Sequence, residues 1–445
     1  MTTIKLRRGT AAQWLAVDPV LSQAEPGYEL DTGKEKRGDG VTHWSSLPYY
    51  INERHISATY ETRAKGRQGE GRFAPGVFGI PKLMTSPPDI SVTETPSDTS
   101  TIPSAITIEP DAVGAASYVG AIATRGSTYP DTLMLGSNFD SVTLTSTYGY
   151  PPWYMEFDHD GSVLEMVTRG RTSAFRVLVD GEYAGDRVLN SPVYDGNLYV
   201  IKIDFSTRAL RRVRIEMNGL FQVGKIFLEP TATIRSAPIP GPRVCILGDS
   251  YTEPTIVDST AGIKLTEHDG WATVMCRMLG WEDRFILGSG GTGYCSPGSN
   301  DRVKFRDRVQ NDIIDKNPDI VVVAGGLNDA GFDDADVAVE ANLLFTEILA
   351  DLPAARLYVV SPFYFETPDA GILSRSAAIE AVVPSDAYFI DLLSPPAITG
   401  TGDQDNPAAN GNADVFIGGD SLHPTFAGHQ FLGRLVASLI HQASF

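Results

Sequence analysis

Ile320-Val-Val-Val-Ala-Gly-Gly-Leu-Asn-Asp329 decides how this chain folds. Its apolar residues run without a polar interruption, so the segment reads as a strand buried on both faces. The glycine pair and the Asn-Asp that follow mark a tight loop at its carboxyl end. We take this strand as Asp319–Ala324. Comparable short runs lie at Val244–Leu247, Arg284–Leu287, Leu357–Ser361 and Tyr388–Leu392. Helical segments separate them, and Val337, Ala341, Leu344, Phe345 and Ile348 form one apolar stripe at helical spacing. Alternating strands and helices predict an α/β domain with a parallel sheet, helices on both faces and right-handed crossovers. Ligands of such sheets bind at the carboxyl ends of the strands.

Four polar stretches fall at or after those ends: Gly248-Asp-Ser250, Gly288-Ser-Gly-Gly-Thr292, Gly326-Leu-Asn-Asp329 and Asp420-Ser-Leu-His423. Ser250 leaves the first strand on a tight Gly248-Asp249 turn. From there its hydroxyl can attack and its own amide can face an oxyanion. Taken alone it reads better as a helix N-cap; with the other three stretches it reads as a nucleophile. His423 is the candidate general base, because imidazole titrates near neutrality and can accept a proton and return it. Asp420, three residues earlier, is placed to fix the imidazole tautomer and stabilise the imidazolium. Asn328 can donate its amide to a developing negative oxygen, the competing reading being a turn asparagine. Gly291 would supply a further backbone N–H, with Gly290 as the alternative. His429 reads as a structural residue of the terminal helix, Thr425–Ile440. Together these groups meet the needs of ester cleavage through an acyl-enzyme.

The four stretches resemble the blocks of the SGNH (GDSL-like) hydrolases over residues 243–445. The resemblance implies a three-layer α/β/α fold and a triad of Ser250, His423 and Asp420. It also implies an oxyanion hole formed by the Ser250 amide, Gly291 and Asn328. It implies no metal, and no phosphate loop or dinucleotide fingerprint points to a cofactor. The sequence departs from the pattern at Glu253-Pro254, where many members carry a small residue. Pro254 is expected to shorten or displace the helix that follows.

The chain has 445 residues and a formal charge of -19. That size supports several domains, and the charge argues against a nucleic-acid partner, whose phosphates are met by clustered Lys and Arg. No apolar run is long enough to cross a membrane, so no membrane insertion is expected. The N-terminal residues lack the apolar core of a signal peptide, which predicts delivery other than by standard secretion. Cys245, Cys276 and Cys295 make no disulfide framework and no zinc spacing. Cys245 is read as an inert buried thiol, and pairing of the other two is left open.

Residues 1–50 read as a small, turn-rich, β-rich module centred on Trp14 and Trp44. The strings Lys5-Leu-Arg-Arg-Gly-Thr-Ala-Ala-Gln-Trp14, Glu25-Pro-Gly-Tyr-Glu29, Gly38-Asp-Gly40 and Trp44-Ser-Ser-Leu-Pro48 resemble the N-terminal module of bacteriophage tail-fibre and minor tail proteins. That resemblance implies a virion component attached to other tail proteins through this end, and a homotrimer. Residues 51–84 read as an extended linker. Residues 85–236 read as a β-sandwich, with short strands recurring between turn signals, several alternating polar and apolar residues, and Asp180-Gly181 as a hairpin turn. Arg176-Val-Leu-Val-Asp-Gly-Glu-Tyr183 resembles the jelly-roll domain that precedes the catalytic domain in some carbohydrate esterases. The Pro-rich stretch 237–242 reads as a linker to the domain 243–445.

Two insertions, 254–269 and 395–419, are expected to rim the site. Both are polar and lack the amphipathic stripe that a lid over an acyl tunnel needs. A short acyl group, most simply acetate, on a host cell-envelope glycan is the substrate this predicts. The combined expectation is a tail-borne esterase acting at the host surface. A receptor-binding adhesin on a hydrolase scaffold and a cellular carbohydrate esterase are the alternatives.

Overall fold

The computed structural model describes residues 7–23, 25–29, 35–47, 81–120, 123–125, 129–135, 151–170, 174–185, 189–190, 195–218, 221–260, 266–299 and 302–443. The chain divides into two units, residues 1–69 and 70–445.

In the C-terminal domain five strands form one parallel sheet: β1 (Arg243–Gly248), β2 (Asp283–Gly288), β3 (Ile320–Ala324), β4 (Arg356–Val360) and β5 (Tyr388–Ile390). Their order is β2-β1-β3-β4-β5. Every residue of β3 is buried, as an uninterrupted apolar strand requires. Alternate residues serve opposite faces. Val321 and Val323 pack with Cys245 and Leu247 against the stripe of helix α2 (Asp334–Asp351). Val322 and Ala324 pack with Val244 and Ile246 against α1 (Trp271–Leu279) and α4 (Phe426–Ala443). A fourth helix, α3 (Ala370–Glu380), packs beside α2. The result is three layers. Because β2 and β3 flank β1 on opposite sides, the loops leaving β1, β2 and β3 open a crevice at the carboxyl edge.

Among the described residues, two large antiparallel sheets and a small three-stranded one (Ala123–Arg125, Leu133–Leu135, Gln222–Val223) precede this domain. Of the two large sheets, the first has the order Asp89–Thr95, Leu198–Asp204, Val163–Arg169, Ile226–Leu228, Ile106–Ile108; the second runs Glu182–Tyr183, Ala174–Val179, Arg211–Met217, Trp153–His159, Ile234–Ser236. Leu164, Met166, Ile201 and Ile203 of the first meet Phe157, Phe175 and Ile215 of the second in one core. Asp180 and Gly181 both take positive φ, 51° and 86°, and join two strands of the second sheet as a tight hairpin.

The polar alternation of these strands predicts a face open to water, and here the structure differs. All of Trp153–His159 is buried, and Arg211–Met217 is buried beyond its first residue. Their charged face packs on the α/β domain. Arg214 donates to Glu156 at 2.8 and 3.1 Å and to Glu282 at 2.8 Å; Arg176 donates to Asp269 at 2.8 Å; Arg277 donates to Glu216. Glu282 also accepts from Arg284 at 2.9 Å. Burial opposes ionisation of Glu282, but Arg214 and Arg284 hold its carboxyl down at about 2. Sequence shows alternation but not which neighbour covers the polar side.

The Pro-rich stretch is packed rather than free: Ala237 is buried, its carbonyl accepts from Ser117 Oγ at 2.5 Å, and Pro240 O accepts from Glu282 N at 3.2 Å. Of the linker 51–84, residues 51–80 lie outside the described residues; Lys82 and Met84 pair with Tyr183. In the first unit, strands Arg7–Gly9, Pro26–Glu29 and Glu35–Arg37 form one sheet beside the helix Ala11–Val17. Trp14 and Trp44 stack with ring centroids 4.0 Å apart. A Cβ at Gly27 would lie 2.5 Å from Trp44, so glycine is needed there. All three cysteines are free thiols. No helix among the described residues is long and apolar enough to cross a membrane.

Candidate active site

Where β1 ends, the chain turns sharply back over the sheet. Gly248 and Gly288 make this possible: a Cβ at Gly248 would lie 2.1 Å from Thr252 Oγ1, and one at Gly288 would lie 1.9 Å from Glu253 N. The turn is closed by Thr252 N and Glu253 N donating to Asp249 O at 3.1 and 2.9 Å. Ser250 stands at its apex. No helix starts here. After Pro254 the chain runs without a helix through the described residues to Glu267–Asp269, and α1 begins only at Trp271.

Asp249 points the other way, into the protein. Its carboxylate accepts Tyr251 N–H at 3.0 Å, and burial pushes its carboxyl up to about 7. Asp329 is likewise structural: it accepts N–H groups from Tyr294, Cys295 and Ser296 at 3.0, 2.9 and 2.8 Å, shaping the loop after β2.

The Ser250 Oγ lies 2.9 Å from His423 Nε2, and His423 Nδ1 lies 2.6 Å from Asp420 Oδ2. Asp420 also accepts the backbone N–H of His423 at 2.9 Å and of Leu422 at 3.1 Å. Partial burial works against its ionisation, yet these bonds from His423 and Leu422 hold its carboxyl below the usual range. With Nδ1 donating to the carboxylate, Nε2 is left to accept the serine proton. The three groups thus touch in series, though Ser250 and His423 are 173 positions apart.

The turn carrying Asp420 and His423 is braced from outside. Ser421 has φ 56°, and its hydroxyl donates to Asp403 at 2.5 Å. Tyr251 OH donates to Leu422 O at 2.6 Å. Asp403 belongs to the insertion before Asp420, and this insertion is bolted to the one after Ser250. Ser259 Oγ donates to Asp405 at 2.7 Å and Gln404 Nε2 to Asp258 at 3.1 Å.

Among the described residues, two backbone N–H groups and one side-chain amide hydrogen in these loops are left without partners. Neither Ser250 N–H nor Gly291 N–H makes a hydrogen bond among the described residues. Asn328 Nδ2 donates one hydrogen to Thr292 O at 3.0 Å, which orients the amide and leaves its second hydrogen free. Gly290 is not available as the alternative to Gly291. Its N–H donates to Glu253, a residue that sequence reading noted only as a departure from pattern. Arg302, which no motif singles out, grips the Gly290 carbonyl. His429 is buried in α4; its Nδ1 accepts Trp271 N–H at 3.1 Å and its Nε2 donates to Thr255 O at 3.0 Å, while burial lowers its pKa to about 4. It supports the loop but does not touch Ser250. No group of three or more His, Cys, Asp or Glu suited to a metal occurs among the described residues.

Comparison with known proteins agrees with this architecture. The family model of the GDSL-like lipase/acylhydrolases matches residues 246–431, and that of the major tropism determinant N-terminal domain matches residues 4–42. A GDSL lipase of Mycobacterium tuberculosis, Rv0518, is 28% identical over 202 residues, 44% of this chain and 80% of the lipase. A family two carbohydrate esterase from Cellvibrio japonicus superposes with a TM-score of 0.56 at 16% identity, covering 76% of this chain and 98% of that one. An acetyl xylan esterase from Butyrivibrio proteoclasticus gives 0.53 at 13% identity, with 76% and 98% covered. At such identities the likeness is one of fold, and it extends from the α/β domain into the sandwich.

Proposed function

We propose that this chain, whose residues 246–431 form an ester-hydrolysing domain of the GDSL-like acylhydrolase family, is a phage tail esterase that removes acetyl groups from a host cell-envelope glycan during adsorption. One observation carries the chemistry: the unbroken series Ser250 Oγ, His423 Nε2, His423 Nδ1, Asp420, at 2.9 and 2.6 Å. Ser250 attacks the ester carbonyl as His423 takes its proton. Asp420 stabilises the imidazolium. The tetrahedral oxyanion is held by Ser250 N–H, Gly291 N–H and Asn328 Nδ2. His423 then returns the proton to the leaving alcohol, and water repeats the sequence to release acetate.

The small polar acyl group follows from the rim. Its two insertions are joined by hydrogen bonds between Asp258, Ser259, Gln404 and Asp405, and their described parts carry no long amphipathic helix. The tropism-determinant match over residues 4–42 supports attachment to the tail through that end. On this reading residues 85–236 are a jelly-roll-like accessory domain, and the assembly is a homotrimer on the virion. Acetate release from isolated host envelope fractions, and from chromogenic acetate, tests the proposal. Wild type should release acetate and Ser250→Ala should not. Equal rates for the two proteins would refute the serine mechanism. Equal rates on long-chain and acetyl esters would refute the short-acyl preference.

A further inference from the structure

We infer that Arg302, held in place by Glu253, orients and polarises the peptide between Gly290 and Gly291, so that Gly291 N–H is presented as an oxyanion donor; this rests on the esterase reading above. Arg302 Nη1 donates to Gly290 O at 2.5 Å. The carbonyl and the N–H of one trans peptide point in opposite directions in one plane. A grip on Gly290 O therefore fixes the direction of Gly291 N–H.

That control is needed here. Gly290 and Gly291 have no side chains, Gly291 adopts φ 76°, and a glycine pair left to itself samples many orientations. The preceding peptide is fixed as well, because Gly290 N–H donates to Glu253 Oε2. Glu253 Oε1 lies 3.5 Å from Arg302 Nη2, and the two side chains are only 16% and 25% exposed. The clamp lies against the nucleophile: a Cβ at Gly290 would be 3.5 Å from Ser250 Cβ.

Charge adds to direction. A cationic donor on an amide carbonyl draws electron density toward the oxygen and strengthens the N–H on the same peptide as a donor. The effect matters most as negative charge builds on the substrate oxygen, so the clamp acts on the transition state more than on substrate binding. Arg302 is thus a positioning residue. The carboxylate that departs from the family pattern at Glu253 supplies its counter-charge.

The test compares wild type, Ser250→Ala, Arg302→Met, Arg302→Lys and Glu253→Gln on chromogenic acetate. Circular dichroism and melting check each fold. Inhibition by a small boronic acid, whose tetrahedral adduct places an oxygen in the oxyanion site, provides a second readout. Arg302→Met should lower kcat by roughly 10- to 100-fold, with KM changed by less than about 2-fold. Boronic acid affinity should fall alongside kcat, and Arg302→Lys should recover part of both. Should Arg302→Met fail to fold, Glu253→Gln, close in shape, should still lower kcat with KM unchanged. Wild-type kcat in folded Arg302→Met or in Glu253→Gln, or a loss confined to KM, would overturn the role of the clamp. If wild type and Ser250→Ala are equally active, the esterase reading fails and this inference with it. An active wild type, a dead Ser250→Ala and an unimpaired Arg302→Met would sink the clamp alone.

Discussion

In the proposed mechanism Asp420 works through His423, so its replacement separates geometry from charge. Asp420→Asn keeps the size of the side chain but removes the negative charge and disturbs the imidazole tautomer. We expect kcat to fall by on the order of 10³–10⁴, with a small change in melting temperature; steady-state kinetics decide it. Asp403 acts one step further out, holding Ser421 in its left-handed conformation. Asp403→Asn should lower kcat less than Asp420→Asn does and leave KM near its wild-type value. His429 makes a different prediction. Burial keeps its ring neutral down to about pH 4. The unfolded chain takes up that proton near 6.5. Its contribution is therefore fully present above pH 6.5 and is lost as the pH falls toward 4, by about 3 kcal/mol at most. His429→Asn should flatten the fall of melting temperature between about pH 7 and pH 4.5. An equally steep fall in the variant would count against this account. Ser250, Asp420 and His423 were legible because each sits in a short string of chemically specific residues. Arg302 was not, because an arginine gripping a backbone carbonyl leaves no pattern in sequence.

At the scale of elements, the strands of the parallel sheet were legible to within a residue or two. Burial on both faces demands uninterrupted apolar runs such as Ile320–Ala324, and few other structures use them. The stripe read on α2 is the set of residues that the helix buries. The sandwich strands were legible as strands but not in their surroundings. Glu156 and Asp158 on Trp153–His159, with Arg212, Arg214 and Glu216 on Arg211–Met217, alternate with apolar residues and look like a wet face, and only the fold shows that the α/β domain covers it. That ionic interface has consequences. Arg214 is the shared partner of Glu156 and Glu282, and its side chain is 2% exposed. Arg214→Met would leave buried carboxylates short of counter-charge. We expect it to destabilise the second unit by about 3–5 kcal/mol, measured by denaturant unfolding. Because the pair is shielded from solvent, the loss should depend little on salt. A variant as stable as wild type would show that the network is not needed for docking the sandwich.

For the whole molecule, a tropism-determinant match at residues 4–42 and an acylhydrolase match at 246–431 lie on one chain, and the proposed function puts ester cleavage at the point of host contact. A phage carrying Ser250→Ala should assemble with the same amount of this protein in purified virions and adsorb less effectively to hosts whose envelope glycan is acetylated. Hosts stripped of acetate beforehand should abolish the difference. Both family likenesses were legible in short strings at opposite ends of the chain. What the strings could not give was the convergence of loops after three different strands with a turn near the C-terminus, since that depends on the strand order of the sheet.

The claim that Ser250 is a base-activated nucleophile can be tested by labelling the full-length protein with a fluorophosphonate and locating the adduct by peptide mass spectrometry. The account predicts one dominant adduct, on Ser250, lost in Ser250→Ala and strongly slowed in His423→Ala. An unlabelled Ser250 in the folded protein, or labelling at the same rate without His423, would contradict it.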